Sequence, residues 1–238
     1  MNILILAASP RTGSTYLQDV LIPKRYFEDY SYTPEGRDKM WLTSPPELGH
    51  TIQISPYGEI HLYGEHWAMT DKDTMYAEWN WWYKTDPENT LRVVKVFPQH
   101  LLLKGINDIR DILYATDKVF LLFRKDYTAV VYSLLAAEKT NNWSPDRKEQ
   151  TINISKSEFD EMAEKVYHSY DDSLSFFDKY RGKVEVICLE EDLPSNPYKQ
   201  VYTFNNPQFE VEQKFKGFYN KFRRLGLNSD ASKRFTKR

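Results

Sequence analysis

The sequence predicts an α/β fold, with a central, mostly parallel sheet flanked by helices in three layers and one domain over residues 1–238. Three observations predict it. Apolar runs of strand length recur at residues 2–8, 91–97, 118–123 and 184–189, and runs apolar on both faces suit a sheet covered on both sides. Stretches with helical spacing separate them, at 14–22, 101–114, from Arg124 to about Lys139, and 156–181, which is the order of right-handed βαβ crossovers. A chain of 238 residues, 41% hydrophobic and 15% aromatic, can bury a core of that kind.

The first strand, Asn2 to Ala8, is too short to cross a bilayer and has no basic leader before it, so neither a membrane span nor a signal peptide is expected. Ser9-Pro10-Arg11-Thr12-Gly13 breaks it, and Ser14 to Ile22 carries Leu17, Val20 and Leu21 at helical spacing, ending before Pro23. Residues 30–90 hold Trp41, Trp67, Trp79, Trp81 and Trp82 with five prolines and show no clean period. They are expected to form an irregular, aromatic-rich insertion or lid at the sheet edge where α/β folds bind ligands. Leu91 to Phe97 is the second strand, stopped by Pro98, and Lys118 to Phe123 the third. The fourth holds Cys188, the chain's one cysteine, which excludes an internal disulfide and a cysteine-cluster metal site and reads as a small core residue.

The formal net charge is −2, yet the end of the chain is basic. Lys214, Lys216, Lys221, Arg223, Arg224, Lys233, Arg234, Lys237 and Arg238 stand there against Asp230. Within the basic tail from about 226 to 238 the last six residues suit solubility, whereas Lys214 to Arg224 suits an anionic ligand.

A strand, a Pro-Arg-Thr-Gly-Ser-Thr turn and a helix form an anion cradle. Backbone amides and the helix N-terminus converge on one cluster of oxyanions. Gly13 allows close approach, Ser14 and Thr15 add hydroxyl donors, and Arg11 adds a planar fork matched to phosphate oxygens. The plainer alternative is a strand-to-helix turn capped by Ser14 or Thr15. The loop is P-loop-like without being a Walker loop, which needs Gly-x-x-x-x-Gly-Lys-Ser/Thr. Here Gly13 precedes the hydroxyl pair, no loop lysine exists, and the cation lies ahead of the glycine.

Ala8-Ser9-Pro10-Arg11-Thr12-Gly13-Ser14-Thr15-Tyr16-Leu17 resembles the 5′-phosphosulfate loop of PAPS-dependent sulfotransferases. Phe120 to Asp126 followed by Val130-Val131-Tyr132-Ser133 is similar to the family's 3′-phosphate site, an arginine closing a strand and a serine nine residues on. Arg124 could otherwise pair with Asp126 at a helix start and Ser133 lie on a helix surface. Ala137 to Trp143, Arg92 to Gln99, and Leu189-Glu190-Glu191-Asp192-Leu193 with Asn196-Pro197 resemble further blocks, closest to the trehalose-type bacterial branch. Nothing placeable covers 30–90 or the chain beyond about 200.

The resemblance implies sulfuryl transfer from PAPS to a hydroxyl of a carbohydrate-like or other small acceptor, with PAP as product, no metal and a cytoplasmic location. It implies nucleotide contacts from Arg11, Thr12, Gly13, Ser14, Thr15, Tyr16, Arg124 and Ser133, with Lys214 and Lys216 as later contacts. Lys95 and Arg11 would balance charge on the transferring group. The general base stays open between Glu28, Glu35 and His100, taken in that order, with Asp29 beside them. His61 and His66 have Glu59 and Glu65 nearby but follow no metal-ligand spacing. Two rivals remain: a P-loop-type nucleotide kinase, which needs the missing lysine, and a non-catalytic nucleotide- or polyanion-binding protein using the basic end. A mononucleotide suits Arg124 and Ser133 better than nucleic acid does, and a homo-oligomer is left open.

Overall fold

A computed structural model describes residues 1–26, 50–55, 58–63, 90–109, 116–141, 150–180, 184–194, 202–205, 209–211 and 215–226, with the strands at 50–63 described by backbone alone. The chain runs β1 (Asn2–Ala7), α1 (Ser14–Tyr16), a π-helical turn (Leu17–Leu21) and α2 (Ile22–Tyr26). Then come β2 (His50–Ser55), β3 (Gly58–Tyr63), β4 (Thr90–Val96), α3 (Pro98–Leu103), β5 (Lys118–Phe123) and α4 (Tyr127–Thr140). The last third is β6 (Gln150–Ile152), α5 (Lys156–Asp178), β7 (Glu185–Cys188), α6 (Leu189–Asp192), β8 (Tyr202–Phe204) and α7 (Lys216–Leu225).

Six strands form the main sheet in the order β2-β3-β4-β1-β5-β7, parallel throughout except for the antiparallel β2–β3 pair at one edge. β1 therefore lies between β4 and β5, so the chain changes direction across the sheet at the carboxyl end of β1. That crevice is where open α/β sheets bind ligands.

Side-chain alternation along the strands sorts the core into two layers. Ile3, Ile5, Leu91, Val93, Phe120 and Leu122 bury against Leu17, Val20, Leu21 and Ile22. Leu4, Leu6, Val94, Val96, Leu121 and Phe123 bury against the helices α4, α5 and α7. Each such aliphatic side chain removed from water contributes about 1.5–3 kcal/mol, so both faces must be covered, as the apolar runs predict. α5 begins on a capping box in which Ser155 and Glu158 satisfy each other's backbone amides.

Three expectations need correction. The helix after the loop does not stop before Pro23 but runs to Tyr26. The i→i+5 bonding from Leu17 to Leu21 lies just ahead of the proline, where it absorbs the missing donor. The helix expected over 101–114 begins earlier and ends sooner. Pro98 is its first residue, and Gly105, at φ 71, ends it in a Schellman turn closed by the Ile106 amide on the Leu101 carbonyl at 2.9 Å. Part of the stretch expected to be irregular is a strand pair. The alternation in Thr51-Ile52-Gln53-Ile54 and Glu59-Ile60-His61-Leu62 is a period-two signal, and β3 joins β4 in parallel register. A two-stranded sheet of β6 and β8 was not expected at all.

Candidate anion site at the carboxyl edge of the sheet

The loop leaving β1 is held from both sides. The Ser169 and Ser173 hydroxyls on α5 donate to the Ala8 carbonyl at 2.8 and 3.0 Å, while the Ala8 amide donates to the Leu122 carbonyl at 2.9 Å. Thr12 is buried, and its hydroxyl turns back to donate to the Ser9 carbonyl at 2.8 Å, closing the loop on itself. Gly13 stands at φ 84 and is the N-cap of α1, so neither Ser14 nor Thr15 caps the helix. The close approach that Gly13 allows in this structure is to Leu189, whose Cδ1 would lie 2.6 Å from an added Cβ.

Arg11 takes the left-handed backbone at φ 68, which costs a non-glycine residue about 1–2 kcal/mol. A turn that only reversed the chain would carry Gly or Asn there, so the strain points to a use for the side chain. Its Nε donates to the Ser133 hydroxyl at 2.9 Å. Ser133 is buried in the second turn of α4. The loop after β1 and the serine-bearing helix singled out in the sequence thus meet.

Lys95 enters from β4, one residue short of the strand's end. Although only 8% exposed, it has a neutral hydroxyl as its described partner, donating to Thr15 Oγ1 at 3.2 Å. Among the described residues no carboxylate pairs with it. Burying an ammonium without a counter-charge is costly, and an arriving anion would offset that cost at Lys95.

No family model, curated protein or solved structure matches this chain.

Arg124 follows the last residue of β5 and is clamped in its backbone by the buried Tyr170, which accepts from its amide at 3.3 Å and donates to its carbonyl at 3.1 Å. Its Nε donates to Glu190 Oε1 at 3.0 Å. Asp126 does not pair with it; that carboxylate caps α4, accepting from the Ala129 amide at 2.9 Å. Glu191 and Asp192 bind Arg223 on α7 at 2.6 Å each, and Glu191 also accepts from Lys125 at 2.8 Å. The Lys125 ammonium holds the Glu191 carboxyl down at about 2 against the opposing effect of burial, with Arg223 and Tyr219 acting in the same direction as Lys125.

The remaining sequence candidates divide. Tyr16 packs into the core beside Ile3, Ile5 and Leu17, and burial raises its hydroxyl pKa. Ser14 is buried beside the loop. His100 sits on α3 with its ring edge-on to Phe97 at 5.3 Å. Lys216 is exposed at the start of α7, on a groove of about 470 Å³ shared with Lys125, Tyr127, Phe215 and Tyr219. Glu28, Asp29, Glu35, His66 and Lys214 lie outside the described residues, as do the five tryptophans from Trp41 to Trp82 and the chain beyond Gly226. Cys188 is fully buried, and burial, then the neighbouring Glu190 carboxylate, push its thiol up to about 12, which suits packing and not nucleophilic attack. Among the described residues, no helix is long and apolar enough to cross a membrane.

Sequence reasoning missed Tyr170, Ser169, Ser173 and the holding role of Glu190. Their signal is spatial: helix positions that look like ordinary surface or core residues until the sheet brings them under the loop.

Proposed function

We propose that the chain is a cytoplasmic PAPS-dependent sulfotransferase, similar to the trehalose-type bacterial branch, acting on a hydroxyl of a carbohydrate-like or other small acceptor. The observation that carries this reading is Lys95, a buried ammonium facing a loop hydroxyl, beside Arg11 bonded to Ser133. Each cation contacts a hydroxyl on another element, and the resemblance assigns these residues to the 5′ and 3′ phosphates of one nucleotide, which supports the reading.

When bound, PAPS supplies the sulfuryl group: a new bond forms from the acceptor oxygen to sulfur as the sulfur–phosphate oxygen bond breaks and PAP departs. The chain's part is positioning and charge. Arg11 and the amides around Gly13 orient the phosphate. Lys95 offers a point cation to the oxygen that gains charge as the bond breaks. Ser133 and Arg124 take the 3′ end. The acceptor proton goes to a general base, for which Glu28, then Glu35, then His100 stand as candidates.

Incubating the protein with PAPS labelled in sulfur and pools of sugars, lipids and phenols tests the reading. Transfer of label to a hydroxyl compound with release of PAP is expected. Binding of PAP without transfer to any pool would favour a non-catalytic nucleotide-binding protein, and phosphate transfer from ATP would favour a kinase.

A further inference from the structure

Arg124 is fixed by a group 66 positions away in the sequence. Glu190, in the short α6, collects three donors from the turn after β5. Arg124 Nε reaches its Oε1 at 3.0 Å, the Asp126 amide reaches the same oxygen at 3.2 Å, and the Lys125 amide reaches Oε2 at 3.0 Å. The turn beneath Glu190 is braced in turn, because Asp192 accepts from the Cys188 amide at 2.7 Å and from Arg223 at 2.6 Å. Tyr170 holds the Arg124 backbone from the opposite side.

An arginine free to rotate would lose side-chain entropy on gripping a ligand. With Nε engaged, that ordering is complete before the ligand arrives. The Nη1–Nη2 fork, the edge matched to two phosphate oxygens, has no protein partner among the described residues. At 19% exposure the Arg124 side chain is sheltered yet reachable. Glu190 also acts in the opposite sense, since its negative charge beside the cation weakens the pull on any anion. The two effects give opposite signs on mutation, which makes the arrangement testable.

We infer that Glu190 is the positioning residue for Arg124, aiming its guanidinium fork at the 3′-phosphate and so setting the preference for a nucleotide that carries one. This rests on the role given to Arg124 under the proposed function.

The test uses the full chain as wild type, Glu190→Ala and Glu190→Asp, titrated with PAP and with adenosine 5′-phosphate at one salt concentration. Circular dichroism confirms the fold. Wild type should prefer PAP. Glu190→Ala should lower PAP affinity by about tenfold, the worth of a charged hydrogen bond, while adenosine 5′-phosphate binding moves far less. Glu190→Asp keeps the charge but withdraws the carboxylate by one methylene, and it should lower the same ratio; it carries the test alone if the alanine variant does not fold. A ratio unchanged or raised in the variants, or equal loss for both nucleotides, overturns the positioning role. A wild type without preference for PAP overturns the role of Arg124 itself, before Glu190 is in question.

Discussion

The Arg11 guanidinium donates to the Ser133 hydroxyl at 2.9 Å, across 122 positions of sequence. The bond ties the loop after β1 to α4, which follows β5, and β5 is the parallel neighbour of β1. Adjacency in the sheet thus brings two distant motifs into contact. Ser133→Ala removes an acceptor for Arg11 and a donor for an arriving phosphate. PAP affinity should fall by roughly 1 kcal/mol, about fivefold, with thermal stability nearly unchanged. Isothermal titration checks it, and undiminished affinity would separate Ser133 from the site.

Lys95→Met should move stability and binding in opposite directions. Methionine fills similar volume without the buried charge, for which the described residues offer no carboxylate, so stability should hold or rise, by about 1 kcal/mol. PAP binding and any sulfuryl transfer should drop by at least roughly tenfold. Chemical denaturation beside a binding titration reads both. Loss of stability with intact binding would make Lys95 a structural residue.

Gly13→Ala tests the loop's backbone. At φ 84 an L side chain is strained by about 1–2 kcal/mol, and its Cβ would press on Leu189 at 2.6 Å. A lower denaturation midpoint is expected, and Leu189→Ala in the same chain should restore only the steric share. A midpoint equal to wild type would mean that the loop readily takes another path.

The parallel sheet was legible because its inner strands are apolar on both faces: Leu4 and Leu6 serve one layer, Ile3 and Ile5 the other. The loop was legible too, since Pro10 to Thr15 sits between an apolar strand and a helical period. Lys95 could be placed on its strand, though its burial could not. The β2–β3 pair was obscured by the aromatic and proline-rich sequence around it, where a short alternation carries little weight. The early end of α3 turned on Gly105, a single left-handed residue after an unbroken helical pattern. The partners of Arg124 and Arg11 were illegible in principle, because Glu190 and Ser133 are local in space alone.

Glu191 gives the corner of α6, α7 and β5 an acid limit. Its carboxyl is held at about 2 in the fold against an ordinary value of 4.5. A lowered folded-state pKa stabilises fully above the unfolded value, and that contribution is lost as pH falls through the folded one. Stability should therefore decline between about pH 4.5 and 2, and Glu191→Gln should flatten that part of the profile. Thermal midpoints measured across this range decide it; parallel profiles for the two proteins would remove Glu191 from the account.

The central proposal is that one adenosine bisphosphate is held by Arg11, Lys95, Ser133 and Arg124 together. Thermal stabilisation of the wild-type chain by PAP, adenosine 5′-phosphate and ATP with magnesium measures it most directly. PAP at a hundredfold excess over its Kd should stabilise by roughly 2.7 kcal/mol, and at the same concentration the other two should do distinctly less. Stabilisation by ATP with magnesium and none by PAP would contradict it.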